Sequence, residues 1–185
     1  MERLFNPFRY IAGGKALTLG VIFILSSSLL LYSGGMIQDS YVHITNSGAT
    51  YMQILLVQLV WWIVPAILYY TCGLFMSHSR IRIIDVLGTT AFAQLLYIPL
   101  IAPLHIPAIQ EATNITLQAV SLGLQPTLMN MTTIMLYGIW SFAFLALYYV
   151  WNYKAFSVSC NVNGTKAIVA FVVIQIVMTI AGSVF

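Results

Sequence analysis

Residues 77–90, Ser-His-Ser-Arg-Ile-Arg-Ile-Ile-Asp-Val-Leu-Gly-Thr-Thr, form a polar segment between two long apolar stretches of this chain. The segment contains Arg80, Arg82 and Asp85, although the whole chain of 185 residues has only seven basic and four acidic side chains. A content of 61% hydrophobic and 6% charged residues, with a mean hydropathy of +0.93, excludes an ordinary soluble domain. The sequence therefore predicts an all-α integral membrane protein in which this segment connects two spans.

Five apolar stretches are long enough to cross a bilayer, because each approaches or exceeds the roughly 20 residues that span about 30 Å of hydrocarbon as a helix. We expect one transmembrane domain over residues 1–185, with five spans at about 16–37, 51–76, 84–104, 127–151 and 167–184. Residues 152–165 are expected to be a second polar hinge. The segment 105–125 is expected to contain a short surface helix over 108–122.

The basic residues all fall on one side of the membrane when the spans are drawn in this way. They are Arg3, Arg9, Lys15, Arg80, Arg82, Lys154 and Lys166. The connecting segments on the other side, 38–50 and 105–125, contain no lysine or arginine. The positive-inside rule then predicts a cytoplasmic N-terminus and an external C-terminus. The net charge of +3 reflects this placement and does not indicate a nucleic-acid partner.

The first span is preceded by residues 1–14, which are too polar to cross the membrane. Apolar and polar side chains separate onto two helical faces there, a pattern typical of a short amphipathic helix lying in the membrane interface. The apolar face would contain Leu4, Phe5, Phe8, Ile11 and Ala12. Small residues recur at every fourth position in Ala12, Ala16 and Gly20, which either lets another helix approach closely or reflects simple tolerance of small side chains.

Ionisable residues are absent from the middle of the five predicted spans, where a proton- or ion-coupled transporter usually needs one. The polar side chains expected within the membrane include Gln94, Thr132, Thr133 and Gln175. They either form hydrogen bonds between helices or line a permeation path. The sequence contains none of the common nucleophile, phosphate-binding or metalloprotease motifs, so we expect neither an enzyme nor a cofactor.

The polar segment itself allows three interpretations of its charges. Asp85 can cap the first turn of the third span, with Arg82 as a partner three residues earlier. Arg80, Arg82, Lys154 and Lys166 can also form a basic surface, with Asp85 at its edge, that binds anionic lipid headgroups or an acidic protein. Alternatively, these cations only set the topology during insertion.

A metal site on the opposite side would have to combine Asp39, His43, His105 and Glu111. Their spacing matches no known ligand motif, so no metal site is predicted.

The second and fourth spans contain the same short motif, Leu-Tyr-Tyr, at residues 68–70 and 147–149. Gly-Thr-x-Ala likewise occurs at residues 88–91 and 164–167, which suggests that the last four spans form two related hairpins.

The chain resembles the Yip1 family of small five-helix membrane proteins, especially its prokaryotic members. The resemblance covers the last two thirds of the chain: Ile-Ile-Asp-Val-Leu-Gly at 83–88, Pro99 near the end of that span, Trp-Ser at 140–141, and the segment 157–167. It implies the five-helix fold, a cytoplasmic N-terminus and a non-enzymatic role in a prokaryotic cytoplasmic membrane. Eukaryotic members bind Rab GTPases through an N-terminal region and motif that this chain lacks, so that role is not carried over.

We therefore expect a scaffold in an inner membrane that binds lipids, a protein partner or a second copy of itself through its cytoplasmic face. The alternative is a small channel or transporter with a permeation path among the second to fifth spans.

Overall fold

The computed structural model describes residues 5–41, 43–77 and 79–184. It contains seven α-helices within these residues, together with a small antiparallel hairpin of β1 (Met36–Gln38) and β2 (Ile44–Asn46). The helices are α1 (Gly13–Ser33), α2 (Tyr51–Met76), α3 (Ile83–Ala93), α4 (Tyr97–Ile101), α5 (Pro107–Ser121), α6 (Leu128–Ser159) and α7 (Gly164–Val184).

Five helical segments among the described residues are long and apolar enough to cross a membrane. They are Gly13–Ser33, Tyr51–Met76, Ile83–His105, Leu128–Ser159 and Gly164–Gly182. The predicted count of five spans is therefore confirmed at the level of helix length and composition. The surface helix predicted at 108–122 is present as α5, within one residue at each end.

The third of these segments is not one continuous α-helix. A short 3-10 turn, Gln94–Leu96, separates α3 from α4, and a second one, Ala102–His105, follows α4. Proline at 99 and 103 lacks a backbone N–H, so carbonyl groups one turn earlier lose their helical donors. The indole Nε1 of Trp140 donates to the freed carbonyl of Pro99 at 2.9 Å, and this bond ties α6 to the interrupted segment.

The tightest helix pair is α1 against α3, and it is built from small residues. A Cβ placed at Gly20 would lie 2.6 Å from the backbone nitrogen of Phe92, and one at Gly88 would lie 2.6 Å from the carbonyl oxygen of Gly13. Ala16, which is fully buried, lies at the same contact. The small-residue stripe in the first span therefore serves close helix approach, and α3 lies centrally rather than in a separate hairpin with α2.

Residues 5–12 differ from the predicted interfacial helix. They contain a 3-10 turn at Pro7–Arg9 instead of a continuous helix, and α1 begins at Gly13 with a φ of +62°. Phe8 is buried against Phe92 and Trp151, with ring centroids 6.1 and 5.9 Å away. The aromatic contact into the bundle replaces the lipid contact that the helical-face pattern assumed. Residues 1–4 of the predicted helix lie outside the described residues.

The fourth span extends further than predicted, because α6 continues to Ser159. The predicted hinge 152–165 is thus reduced to the few residues between α6 and α7. Asn152 lies within this helix and is buried, and its amide Nδ2 donates to the backbone carbonyl of Tyr148 at 2.9 Å. Lys154 is consequently a helical residue rather than a loop residue.

The end of the predicted first span and the start of the predicted polar loop 38–50 form an unpredicted hairpin, whose three residue pairs run from Met36–Asn46 to Gln38–Ile44. This end of the bundle, which also carries α5, is called the hairpin end below. The opposite end is called the basic end. It is formed by the start of α1, α3 and α7 and the finish of α2 and α6, and it carries the described lysines and arginines.

Candidate functional site

Exposed cations mark the basic end. Arg80, Arg82 and Lys166 are exposed, and Lys154 is half-buried with its ammonium 5.5 Å from the centroid of the Tyr153 ring. The structure thus places the four predicted cations at one end of the bundle, on three different segments. Asp85 is the acidic residue described at this end.

Asp85 is not the helix cap that the sequence suggested. Arg82 occupies the N-cap position of α3 without a side-chain hydrogen bond, which puts Asp85 at the third helical residue. Its Oδ2 lies 4.0 Å from Nε of Arg82, whose side chain is 76% exposed, so this ion pair is weak. The other oxygen, Oδ1, lies 3.2 Å from where a Cβ of Gly13 would stand. The carboxylate therefore faces the N-termini of both α1 and α3, where negative charge is favourable.

Direct contacts join the loops of the basic end. The amide of Asn161 donates to the hydroxyl of Ser79 at 3.3 Å, and the thiol of Cys160 donates to the carbonyl of Tyr69 at 3.4 Å. Burial raises the pKa of the Cys160 thiol to about 11, so the reactive thiolate is scarce at neutral pH. Gly73 leaves room for this sulfur, which a Cβ there would approach to 2.7 Å.

The four predicted intramembrane polar residues do not line one path. Thr132 is exposed and Thr133 half-buried on α6, and their hydroxyls donate to the carbonyls of Leu128 and Met129 within their own helix. Gln94 and Gln175 are buried in the bundle. The four side chains are therefore not brought together along one path in this structure, and permeation stays an untested alternative.

Gln94 and Gln175 belong to a buried group of polar aromatic and amide residues, called the tyrosine cluster here. Its members are Tyr41, Tyr69, Tyr97, Tyr148, Gln38, Gln94 and Gln175, all at most 9% exposed. They come from the hairpin and from α2, the interrupted α3–α4 segment, α6 and α7. The cluster thus connects the hairpin to four of the five membrane-length segments.

Hydrogen bonds connect the cluster throughout. The amide Nε2 of Gln38 donates to the hydroxyl of Tyr97 at 2.9 Å, and that hydroxyl donates to the backbone carbonyl of Tyr41. The hydroxyls of Tyr148 and Tyr41 are 3.3 Å apart, and Nε2 of Gln94 lies 3.4 Å from the Tyr148 hydroxyl.

At the far side of the cluster, Nε2 of Gln175 donates to the Tyr69 hydroxyl at 2.5 Å. The carbonyl oxygen Oε1 of Gln175 is buried and has no hydrogen-bond partner among the described residues. A buried amide oxygen without a donor is costly, and such a group often receives a water or a ligand.

Sequence reasoning missed the tyrosines of this cluster, although one signal pointed to them. The repeated Leu-Tyr-Tyr motif puts Tyr69 and Tyr148 at equivalent positions, and both are fully buried here. The second repeated motif has no such structural parallel. Gly88 is packed against α1, whereas Gly164 starts α7 in open space with a φ of +79°.

The candidate metal ligands do not converge. Nδ1 of His43 lies 2.8 Å from Oδ1 of Asp39 at the tip of the hairpin. His105 instead contacts the end of α1, with Nε2 3.0 Å from the carbonyl of Leu30 and 3.1 Å from the hydroxyl of Ser33. Among the described residues, no group of three or more histidine, cysteine or acidic side chains is arranged to hold a metal.

Two apolar cavities flank the contact between α5 and α6 at the hairpin end. One, of about 400 Å³, is lined by Pro103, Ile109 and Trp140 among others, and the second, of about 680 Å³, by Val120, Met131 and others. Both lie against the side of α6 that is largely exposed, and neither is lined by Gln94 or Gln175.

No protein-family model, curated protein or solved structure matches this chain.

Proposed function

We propose that this chain is a non-enzymatic integral membrane protein of Yip1-like type that binds anionic lipid headgroups at its basic end. The proposal includes a cytoplasmic N-terminus, an external C-terminus and location in a prokaryotic cytoplasmic membrane. One observation carries it: Arg80, Arg82 and Lys166 are exposed together at one end of a bundle of apolar helices. A cluster of cations at the mouth of membrane helices is placed to meet headgroup phosphates.

The chemistry of this end favours lipid over a small substrate. Asp85 is the acidic residue described there, so little of the positive charge is neutralised within the protein. Tyr153 and Lys154 are only half-buried and form a cation–π pair. An aromatic ring next to a lysine is typical of the membrane interface, where each can contact a headgroup.

Neutralising three exposed cations tests the proposal. Each cation near an anionic surface contributes about 1 kcal/mol, so Arg80→Gln, Arg82→Gln and Lys166→Gln together should weaken lipid association by roughly 3 kcal/mol, a factor of about 150. The measurement is native mass spectrometry of the purified protein with phosphatidylglycerol against phosphatidylcholine. The loss should shrink at high salt, because exposed charges are screened.

Glu111→Gln is the matched control, because it changes one exposed charge at the hairpin end. It should leave lipid association unchanged. Retention of phosphatidylglycerol by a correctly inserted triple variant would overturn the proposal and leave the cations with a role in topology alone. Co-purification of an acidic protein or a second copy, lost in the triple variant while lipid binding persists, would assign the basic end to a protein partner.

A further inference from the structure

Tyr41 occupies an unusual position in the hairpin. Its side chain is 1% exposed, although Asp39 and His43 on either side have exposed side chains at 41% and 66%. The ring lies 6.3 Å from the ring of Trp61 and 6.0 Å from that of Tyr148, measured between centroids. A single loop residue thus inserts a phenol between the membrane helices.

The walls around this phenol come from the helical segments. Tyr69, Tyr97, Tyr148, Gln94 and Gln175 belong to helical segments that pack against one another. Their hydroxyl and amide groups can both donate and accept hydrogen bonds. The oxygen Oε1 of Gln175, buried and without a partner among the described residues, is a further acceptor within this site.

The ladder of the hairpin is short. A two-stranded ladder of three residue pairs is marginal on its own in water. Glycines lie on both sides of it: Gly35, with a φ of +64°, precedes the ladder, and Gly48, where an added Cβ would meet no atom within 4 Å, follows it. Contacts with the bundle therefore hold the hairpin in place: Met36, Ile37 and Ile44 pack on the core, and Tyr41 and Gln38 insert among the helices.

We propose that the tyrosine cluster is a binding site for an uncharged phenol-sized hydroxyaromatic molecule, and that Tyr41 fills it as a built-in plug. The phenol of Tyr41 shows the size and chemistry that the walls accept. An uncharged ligand follows from the absence of charged side chains among the cluster members, because an unpaired charge at this depth is costly.

The first test uses Tyr41→Ala in the full chain, purified in detergent, with p-cresol and toluene as probes. Calorimetry should show that the variant binds p-cresol about tenfold or more tightly than toluene, since the hydroxyl gains hydrogen bonds that toluene cannot make. Phe8→Ala is the matched control, because it also removes a buried ring but leaves the apolar neighbours Phe92 and Trp151. That cavity should not prefer p-cresol.

The second test asks whether the plug leaves its site in the wild-type protein. Hydrogen exchange at residues 36–46 should accelerate at least several-fold with p-cresol near its solubility limit, while exchange in α1 stays unchanged, because the ligand and Tyr41 compete for one site. Two results would overturn the proposal. One is equal affinity of Tyr41→Ala for the two probes, and the other is a hydrogen-exchange rate of the wild-type hairpin that does not change when p-cresol is added. If Tyr41→Ala does not fold, the exchange experiment decides alone.

Discussion

The contact between α1 and α3 and the half of α6 nearest the hairpin end are built from opposite kinds of residue. Along α1 and α3, Gly20, Gly88 and Ala16 bring two backbones together, and the contacting atoms are buried. Along α6, large apolar side chains such as Leu128, Met135 and Phe142 are 82%, 61% and 74% exposed. Both α1 and α6 are apolar enough to span a membrane, yet of these two only α1 is closely packed against a neighbouring helix.

The difference shows what holds a membrane bundle together. Apolar side chains gain little from leaving lipid for protein, so hydrophobicity alone does not pair helices in a bilayer. Close backbone approach and interhelical hydrogen bonds do, and α1 has both. Its serines Ser27 and Ser28 donate to Oε1 of Gln58 on α2 at 3.1 and 2.5 Å. The exposed half of α6 is tied to the bundle mainly by Trp140 and Tyr137, which donate to carbonyls near Pro99.

Matched glycine substitutions should give the largest difference in unfolding free energy between the α1–α3 contact and the exposed half of α6. Gly20→Ala should lower the free energy of unfolding by about 3 kcal/mol, because the added methyl meets the backbone of Ala91 and Phe92. Gly138→Ala on α6 should instead stabilise by up to about 1 kcal/mol, since nothing lies within 4 Å and alanine is the better helix former. The midpoint of unfolding in mixed micelles of rising SDS content measures both. Equal responses at the two sites would show that the α1–α3 contact is looser than described.

The outline of this contrast could be predicted from the sequence. Hydropathy alone located five spans, and the spacing of Ala16 and Gly20 indicated a surface for close approach. The pattern did not identify the partner helix, because glycine and alanine are compatible with any neighbour. It also gave no reason to expect Tyr41 to be buried between the helices, since a tyrosine near Asp39 in a polar loop is typical of an exposed interfacial residue. Its burial depends on contacts with residues far along the chain, which local patterns do not contain.

The end of α6 illustrates a second limit. Asn152 and Lys154 favour a loop by composition, but the helix continues through both, and Asn152 is buried by the packing of α6 in the bundle. Asp85 shows the same limit, because the spacing within its own helix suggests only a cap. The neighbouring start of α1, which it also faces, is 72 residues earlier in the chain and is invisible to local spacing.

The next largest difference in stability is expected between a hydrogen bond that joins α1 to α2 and one that lies within α6. Gln58→Leu should cost about 1.5 kcal/mol, because it removes the acceptor shared by Ser27 and Ser28 and leaves each hydroxyl to donate to the carbonyl of Ile24 alone. Thr132→Val should be neutral within about 0.5 kcal/mol, since its hydroxyl bonds only within α6. The same micelle titration compares them. A neutral Gln58→Leu would mean that the serine bonds within α1 already suffice.

The smallest expected effect concerns the charge at the start of the α1–α3 contact, compared with the cap of α6. Thr127 accepts a hydrogen bond from the backbone N–H of Asn130 at 3.4 Å, so Thr127→Ser should be neutral and Thr127→Ala should cost up to about 1 kcal/mol.

Asp85 acts through charge on two helix N-termini, so Asp85→Asn and Asp85→Ala should each cost about 0.5 kcal/mol. Arg82→Gln should change little, because the pair with Asp85 is long and exposed. The cost at Asp85 should fall as salt rises, whereas the cost at Thr127 should not. If Asp85→Asn is neutral and only Asp85→Ala destabilises, the side chain acts by hydrogen bonding and the charge interpretation is wrong.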